Sequence, residues 1–371
     1  MEIHKEVISP ILDRIDSEKG HDAARIFLQL MGSTPMTRSL LNRIGDCPES
    51  YSHRLSTDLA NHLWDNPVIV GAGWDKTGSS IRGLYELGFA GVEVGSVLKR
   101  RQLGNEGKRA FMIAPGVAIN RYGFNSPGMK RVAKNIDLVD PDRVVPIGIS
   151  ISKNKTVPNH KSPQVNADVA RYMYEYATYF AFNPASPNTP NLRDLLKGIF
   201  LRDNIQAING AMEEKGGRKP LFIKTHVDMT REELDEVIDV ALTEKVTGII
   251  TSNTTTNADI KAKYGPRWAT QDGGLSGDDP DLRRMATEQI AHIYNQVGSK
   301  LQIIGVSSVK DGPTAHDKIK AGATAVQVVT ALRGEGLSVA ANIKRQLIEL
   351  MDQEGVYHIS ELIGVDAHLY S

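Results

Sequence analysis

Short apolar runs alternate with segments of helical periodicity along the chain from about residue 67 onward. The apolar runs predict eight strands, at residues 67–70, 89–94, 145–151, 177–182, 221–224, 248–251, 301–306 and 325–329. The segments between them predict helices, among them 81–87, 166–176, 231–243 and 281–297. Thr230 followed by Glu233 is typical of a capping box at a helix start. Eight strands, each followed by a helix or a long connection, predict an α/β fold whose parallel sheet closes into a (β/α)8 TIM barrel.

The alternative is an open, doubly wound sheet. Such a sheet usually has fewer strands and carries a glycine fingerprint after the first strand. The segment Gly71-Ala72-Gly73-Trp74 only half resembles that fingerprint, so the barrel is the preferred prediction. The connection between the second and third strands, from Gly95 to about Arg143, is long. Loops of that length in a compact domain tend to be functional.

The start of the chain stands apart from this alternation. Two apolar sets fall at helical spacing, first Ile8, Ile11, Leu12 and Ile15, and then Ala23, Ile26, Phe27 and Leu30. They predict a helical hairpin, and we assign residues 1–45 to an N-terminal helical extension and residues 46–371 to the barrel. The hairpin is either a cap packed on the barrel or an amphipathic pair that contacts a membrane surface.

Composition narrows the possible function classes. Lys+Arg and Asp+Glu number 44 each, so nothing favours a nucleic-acid-binding surface. The only cysteine is Cys47, which excludes an internal disulfide and a Cys/His zinc cluster and suits a reducing cytosol. No metal site is predicted. The first residues form no long apolar run, which argues against a signal peptide and a membrane span.

Polar side chains follow the predicted strands at their carboxyl ends, which in a barrel open on one face. The set is rich in amides, hydroxyls and lysines and almost free of carboxylates: Asp75, Lys76, Ser96, Ser150, Ser152, Lys153, Asn154, Asn183, Ser186, Asn188, Thr189, Lys224, Ser252, Asn253, Thr254, Thr255, Ser307, Ser308 and Thr330. Such a set suits an anionic ligand that makes many hydrogen bonds. Lys76 and Lys224 are each open to three interpretations: a solvated charge, a Schiff-base lysine, or a fixed charge beside an electron-rich cofactor.

The last two strand ends predict a phosphate site. Barrels commonly bind phosphate there, through loop amides and a short helix N-terminus. The segments concerned are Ser307-Ser308 and Val329-Thr330. A phosphate at this place, with amides and lysines facing inward, favours a nucleotide-like cofactor across the barrel mouth.

Two loops carry further candidate chemistry. Residues 183–190 (Asn-Pro-Ala-Ser-Pro-Asn-Thr-Pro) hold Ser186 on a loop stiffened by three prolines, so a catalytic serine and a plain proline-rich turn are both open. Residues 119–126 either send two asparagines and Phe124 into the pocket or form a tight turn around Gly123.

Several motifs together resemble the dihydroorotate dehydrogenase family, in its class 2, membrane-associated, quinone-linked form. The similarity covers most of the chain. Its most specific parts are Gly73-Trp74-Asp75-Lys76, Asn120-Arg121-Tyr122-Gly123-Phe124-Asn125, Ser186-Pro187-Asn188-Thr189-Pro190, Ser252-Asn253-Thr254-Thr255 and Gly273-Gly274-Leu275-Ser276-Gly277. Any one of these motifs would be weak evidence, and their shared order is strong evidence.

The resemblance implies FMN at the top of the barrel and the oxidation of dihydroorotate to orotate in pyrimidine biosynthesis. It implies Ser186 as the catalytic base, and a serine rather than a cysteine there is typical of class 2. Implied substrate contacts are Lys76, Asn120, Arg121, Tyr122, Gly123, Phe124, Asn183, Asn188, Asn253 and Thr254. Implied FMN contacts are Ala72, Gly73, Trp74, Asp75, Lys76, Ser96, Ser150, Asn183, Lys224, Ser252, Gly277, Ser308, Val329 and Thr330. His21 matches a histidine near the family's quinone tunnel. A quinone acceptor and a peripheral position on the cytoplasmic face of the cell membrane follow from the same resemblance.

The chain departs from the family pattern at several positions. Ser150 replaces an asparagine, Ser307-Ser308 replaces Gly-Gly, Val329-Thr330-Ala331 replaces Tyr-Ser-Gly, and Met112 aligns with the quinone-side arginine. A divergent paralogue that uses a related cyclic imide or another acceptor therefore stays open. A barrel lyase with a Schiff-base lysine stays open as well, and so does a catalytically silent ligand-binding barrel.

Overall fold

The elements alternate strand and helix after an N-terminal group of helices. The computed structural model describes residues 16–45 and 48–370. In chain order the helices and strands are α1 (Ser17–Met31), α2 (Pro35–Gly45), α3 (Glu49–Leu55), β1 (Thr57–Leu59), β2 (His62–Trp64), β3 (Val68–Val70), α4 (Ile81–Glu86), β4 (Gly91–Val97), β5 (Ala110–Ala114), β6 (Val117–Asn120), α5 (Met129–Val139), β7 (Ile147–Ile151), α6 (Ser162–Met173), β8 (Tyr179–Phe182), α7 (Gly198–Glu213), β9 (Leu221–His226), α8 (Arg231–Thr243), β10 (Gly248–Asn253), α9 (Ala258–Ala262), α10 (Pro266–Ala269), β11 (Gly274–Gly277), α11 (Pro280–Val297), β12 (Gln302–Gly305), α12 (Gly312–Lys320), β13 (Ala325–Val328), α13 (Ala331–Gly334) and α14 (Val339–Glu354).

Eight of these strands form a closed parallel barrel. Their order around the barrel is β3-β4-β7-β8-β9-β10-β12-β13, and β13 pairs with β3 to close it, with Val326 opposite Val68. All eight strands of the sequence prediction are present, and the (β/α)8 barrel is confirmed. The capping box at Thr230 and Glu233 is also present, at the start of α8.

The barrel interior is a packed core and not a channel. Trp64 from β2, Tyr179 from β8 and Phe222 from β9 are fully buried there, and the rings of Tyr179 and Phe222 meet edge to face at 5.2 Å. Gly148 in β7 makes room for this packing, because a Cβ atom there would lie 2.2 Å from the Tyr179 ring. Ligands are therefore restricted to the carboxyl ends of the strands.

The long connection between the second and third barrel strands contains ordered elements that the sequence did not predict. Strands β5 and β6 form a hairpin that turns at Gly116, which has a φ of +70°. Strand β6 also pairs antiparallel with β11, with Asn120 opposite Gly274. This three-stranded sheet carries Asn120 and Gly277 to the mouth of the barrel.

The N-terminal helices pack closely on the barrel. Helix α1 contacts α4 through glycines, since a Cβ atom on Gly83 would lie 2.2 Å from the Leu28 carbonyl oxygen. Helix α2 ends at Gly45, whose carbonyl oxygen accepts a hydrogen bond from Lys344 Nζ at 3.2 Å. The second helix of the predicted hairpin is α1, and α2 was not predicted. The first apolar set, Ile8 to Ile15, lies outside the described residues, and the domain boundary at residue 45 stays a prediction.

Across residues 16–45 and 48–370, none of the helices combines the length and the apolar character needed to cross a bilayer.

Candidate active site

A cavity of about 950 Å³ opens at the carboxyl ends of the barrel strands, between the three-stranded sheet and helix α1. Most of the residues that the sequence singled out line this cavity: His21, Ala72, Gly73, Trp74, Lys76, Ser96, Asn120, Tyr122, Gly123, Phe124, Asn183, Ser186, Asn188, Lys224, Ser252, Asn253, Thr254, Gly277, Ser308, Val329 and Thr330. Segments far apart along the chain thus meet at one site.

Three of the predicted site residues lie off the cavity wall. The Asp75 carboxylate is fully buried and accepts hydrogen bonds from the backbone amides of Gly78 and Ser80 at 2.8 and 2.7 Å, so it fixes the loop that carries Lys76. Ser150 is fully buried behind Ser96, and their hydroxyls are 3.1 Å apart.

The third of these residues, Arg121, points away from the mouth. Its Nη1 donates to the Glu106 carbonyl oxygen at 3.0 Å, and its guanidinium lies 3.8 Å from the Asp272 carboxylate. The predicted ligand contacts of Asp75, Ser150 and Arg121 therefore rest on the resemblance alone. In the structure these three side chains contact neighbouring protein groups behind or beside the cavity wall.

Ser186 lies on the proline-rich loop that follows β8. It is 7% exposed, and its Oγ accepts a hydrogen bond from the Asn188 backbone amide at 3.3 Å. Thr189 Oγ1, on the same loop, is buried and has no hydrogen-bond partner among the described residues. A buried hydroxyl without a partner is unusual, and it indicates a group that interacts with a water or a ligand.

The amides around Ser186 hold one another in place. Asn188 Nδ2 donates to both the backbone and the side-chain oxygen of Asn120, each at 3.3 Å. Asn183 Nδ2 donates to Ser96 Oγ at 3.0 Å. Within the described chain, Ser252 Oγ and Thr254 Oγ1 are buried without partners. The cavity therefore offers several oriented amides and two uncommitted hydroxyls.

Lys76 is half-buried at the cavity wall, with its Nζ 4.2 Å from the centre of the Tyr122 ring. Burial lowers the pKa of Lys76 to about 8, although the carboxylates of Asp22, Glu18 and Asp75 act in the opposite direction. An ammonium group that has lost part of its hydration binds an anion favourably, because the anion replaces the lost solvent contacts.

Lys224 enters the floor of the cavity from β9. Its Nζ lies 3.5 Å from Glu93 Oε1 and 3.4 Å from Gln327 Oε1. The second oxygen of Glu93 accepts from Tyr179 OH at 2.9 Å and from Gln327 Nε2 at 2.7 Å. Glu93 is fully buried, so this carboxylate compensates the lysine charge below the cavity.

The far end of the cavity is formed by Ser307 and Ser308, which follow β12. Both residues adopt left-handed backbone conformations, with φ of +68° and +57°. The described residues supply no hydrogen-bond acceptor for the backbone amides of Ser307, Ser308 and Val309. The two serine hydroxyls instead donate to carbonyl oxygens, Ser307 Oγ to Ser252 at 3.0 Å and Ser308 Oγ to Gly277 at 2.6 Å. Unpaired amides at a turn of this kind are suited to phosphate.

His21 lies on the opposite wall, on helix α1. Burial lowers the pKa of His21 to about 3, and the Lys76 cation acts in the same direction. The imidazole is thus neutral, and its Nε2–H donates to the Trp74 carbonyl oxygen at 2.8 Å. The neighbouring wall is mainly apolar and includes Ala24, Phe27 and Met112.

Sequence reasoning missed several polar residues at the site. Asp278 and Lys310 line the cavity and form an ion pair at 2.5 Å. Asp278 directly follows β11. Because that strand was not predicted from the sequence, Asp278 was not recognised as a residue at a strand end. Glu93 was also missed, although a carboxylate inside an otherwise apolar strand is a recognisable signal.

A closed barrel with a polar, lysine-containing cavity at the carboxyl ends of its strands defines a (β/α)8-barrel enzyme. The comparisons with known proteins narrow this class. The model of the dihydroorotate dehydrogenase family matches residues 54–351. The chain is 33% identical to a protein of Anaeromyxobacter dehalogenans named dihydroorotate dehydrogenase (quinone), over 96% of this chain and 95% of that protein. It is also 33% identical to the mitochondrial dihydroorotate dehydrogenase (quinone) of Mus musculus, over 98% and 90% of the two chains.

A solved structure agrees with these sequence matches. The dihydroorotate dehydrogenase of Eimeria tenella, in complex with ferulenol, superposes with a TM-score of 0.84 at 29% identity, covering 95% of this chain and 96% of that one. The chain therefore belongs to the dihydroorotate dehydrogenase family, a family of flavoenzymes, and resembles its quinone-linked members.

Proposed function

We propose that this chain oxidises dihydroorotate to orotate with bound FMN, in pyrimidine biosynthesis, and passes the electrons to a quinone. The observation that carries the proposal is the meeting of Ser186, Lys76 and a ring of amides in one cavity. The similarity to proteins named dihydroorotate dehydrogenase (quinone) over nearly the whole chain supports it.

The cavity residues fit FMN by several observations. The volume of about 950 Å³ lies at the upper end of the range for small-molecule sites. No atom lies within 4 Å of the position that a Cβ atom would take on Gly73, so a flat ring can approach the backbone there. The unpaired amides at Ser307 and Ser308 suit the phosphate group. The residues that would hold FMN are Ala72, Gly73, Ser96, Lys224, Ser252, Gly277 and Thr330.

The bound flavin supplies the hydride acceptor and the route for electrons to the second substrate. The chain supplies the base and the geometry. Ser186 Oγ takes the proton from the ring carbon next to the one that loses the hydride. A serine hydroxyl is a weak base in water, so it needs a dry site and a hydrogen-bonded relay that takes up the proton of Ser186 and passes a proton on to solvent. Thr189 is proposed as the relay, because its buried hydroxyl has no hydrogen-bond partner in the described residues and so is free to accept one proton and release another.

The remaining polar groups orient the substrate. Asn120, Asn183, Asn188 and Asn253 read the carboxylate and the ureido edge of the ring. Lys76 stabilises the negative charge of the bound ligands. Because the pKa of Lys76 is lowered, a bound anion favours the protonated lysine, and the protonated lysine in turn strengthens the binding of the anion.

The acceptor side is proposed to face a membrane. Helices α1 and α2 expose a row of large apolar side chains, Ile26, Phe27, Leu30, Met36, Leu40 and Ile44. Phe27 also lines the cavity, so a quinone dissolved in lipid has a short route to the site. A peripheral contact with the cytoplasmic face of the cell membrane follows. Co-sedimentation of Leu30→Lys/Met36→Lys with liposomes should fall below that of wild type, whereas Leu138→Lys, at an exposed leucine of α5, should leave it unchanged.

The central experiment is an anaerobic titration of the yellow protein with dihydroorotate. Bleaching of the flavin spectrum in wild type, and its loss in Ser186→Ala, are the expected results. Purified protein that neither contains nor takes up FMN contradicts the proposal.

A second candidate is a family member that uses another acceptor. It is favoured by Met112 on the cavity wall, where the family resemblance implies an arginine. Rapid reoxidation of the reduced flavin by a soluble acceptor, and not by a quinone, would select it.

A further inference from the structure

One arginine ties the loop of the candidate base to the loop of a candidate substrate contact. Arg193 lies on a short 3-10 helix, Leu192–Leu196, just after the proline-rich loop. Its Nε donates to the Ala185 carbonyl oxygen at 3.3 Å, and Ala185 directly precedes Ser186. Its Nη2 donates to the Thr254 carbonyl oxygen at 3.5 Å. Arg193 itself does not line the cavity.

The third contact of this guanidinium is a carboxylate that organises the rest of the second loop. Arg193 Nη1 donates to Asp228 Oδ2 at 3.3 Å. Asp228 Oδ1 accepts from Thr255 Oγ1 at 2.5 Å, and Oδ2 accepts from the amide and the hydroxyl of Thr256, both at 2.9 Å. A fork of fixed N–H donors is the group best suited to hold three acceptors at fixed separations.

We propose that Arg193, held by Asp228, is a positioning residue that sets the distance between Ser186 and Thr254 across the bound substrate. This inference rests on the proposed function, since it assumes that Ser186 is the base. Arg193 contacts neither the Ser186 hydroxyl nor the Thr254 hydroxyl. It acts through the backbone carbonyl groups of Ala185 and Thr254. Loss of the clamp lets the two loops separate, and a displacement of about 1 Å at a reacting group costs about 100-fold in rate.

The test uses the FMN-loaded protein and separates the two half-reactions by stopped flow. In Arg193→Ala, flavin reduction at saturating dihydroorotate should fall about 100-fold. Reoxidation of the reduced flavin by a quinone should keep its wild-type rate, because the acceptor wall contains no contact of Arg193. The dissociation constant for orotate should change only a few fold. In Arg193→Lys, the charge remains but a single ammonium cannot reach all three acceptors, so reduction should be slowed to an intermediate rate.

A chemical rescue adds a readout that a general loss of structure would not give. The Arg193 side chain is 25% exposed, so guanidinium ion can reach the space left in Arg193→Ala. Millimolar guanidinium should restore flavin reduction in that variant. The matched control is Arg82→Ala. Arg82 is a similarly shielded arginine, paired with Glu86 at 2.6 Å and Asp140 at 3.4 Å, away from the cavity. This variant should keep both half-reactions and show no rescue.

Asp228→Asn provides a second, milder variant, which should slow reduction and leave reoxidation unchanged. The proposal is overturned if Arg193→Ala and Asp228→Asn reduce flavin at the wild-type rate. It is equally overturned if both half-reactions slow together and guanidinium restores neither. Failure of wild type to be reduced by dihydroorotate refutes the proposed function instead, so the two failures are distinguishable.

Discussion

The partly buried ammonium group of Lys76 should make the stability of the flavin-free protein depend on pH in a defined window. Burial lowers the pKa of Lys76 from 10.5 to about 8. A pKa difference of one corresponds to about 1.4 kcal/mol, so the charged lysine costs the folded state about 3 kcal/mol at neutral pH. Lys76→Met removes this cost, and the variant should be more stable than wild type at pH 7.

The sign of the pH dependence follows from proton counts. Below pH 8 the lysine is charged in both states, and the full cost is present. Between pH 8 and 10.5 the unfolded chain holds a proton that the folded protein has lost, so the stability of wild type rises with pH relative to the variant. Above pH 10.5 the lysine is neutral in both the folded and the unfolded state. The difference in the free energy of unfolding between the two proteins then no longer changes with pH.

Urea unfolding of the two flavin-free proteins at pH 7, 8, 9 and 10.5 measures this difference directly. The gap between Lys76→Met and wild type should shrink by about 3 kcal/mol across the upper part of that range. Lys134→Met, at an exposed lysine of α5, is the control and should give no such trend. A gap that stays constant from pH 8 to 10.5 would refute the assignment of Lys76 as a buried, costly cation. The same variant should bind orotate more weakly at pH 7, because the anion loses its buried counter-charge.

Three further predictions follow from single positions. Gly83→Ala should lower the free energy of unfolding in urea by about 1–3 kcal/mol, because the added methyl group would lie 2.2 Å from the Leu28 carbonyl oxygen. The control is Gly210→Ala in α7, where the methyl group meets no atom within 4 Å, and this variant should be neutral or stabilising. Ser186→Ala should keep FMN and orotate binding in absorbance titrations and lower flavin reduction by about 100-fold or more, and a reduction rate equal to wild type would exclude it as the base. Lys245→Gly should raise the free energy of unfolding by about 1 kcal/mol, since Lys245 follows α8 with a φ of +54°, and an unchanged value would count against strain there.

The barrel strands were predictable from the sequence because each is buried on both faces. Residues 147–151 and 221–226 are buried throughout, and each of these strands begins with a short, mainly apolar run that is visible in the sequence. Strands β5, β6 and β11 were not predictable in this way. They are short and only partly buried, and β6 finds its partner β11 more than a hundred residues later along the chain. Pairing at that distance leaves no local periodicity.

The site was predictable in part for a similar reason. Residues such as Ser96 and Lys224 follow or end barrel strands, so topology alone brings them to one face. The relation between Arg193 and Asp228 has no such signal, because the two residues lie 35 positions apart, on a short 3-10 helix and on the loop after β9, and meet only in the folded protein. Asp75 illustrates the opposite case. Its motif marks it as a ligand contact, yet its carboxylate is committed to the amides of its own loop.

The departures from the family pattern fall on particular walls of the cavity. Ser186, Asn183 and Asn188 match the pattern, whereas Pro184-Ala185 departs from it. Asn183 donates to Ser96 and Asn188 donates to Asn120, so the loss of either acceptor would leave an amide of the cavity without its partner. Met112 and Val329 replace an implied arginine and tyrosine on cavity walls where apolar side chains need no such partners. Ser307 and Ser308 keep the left-handed backbone that a glycine pair would adopt without strain, and their hydroxyls donate to nearby carbonyl oxygens.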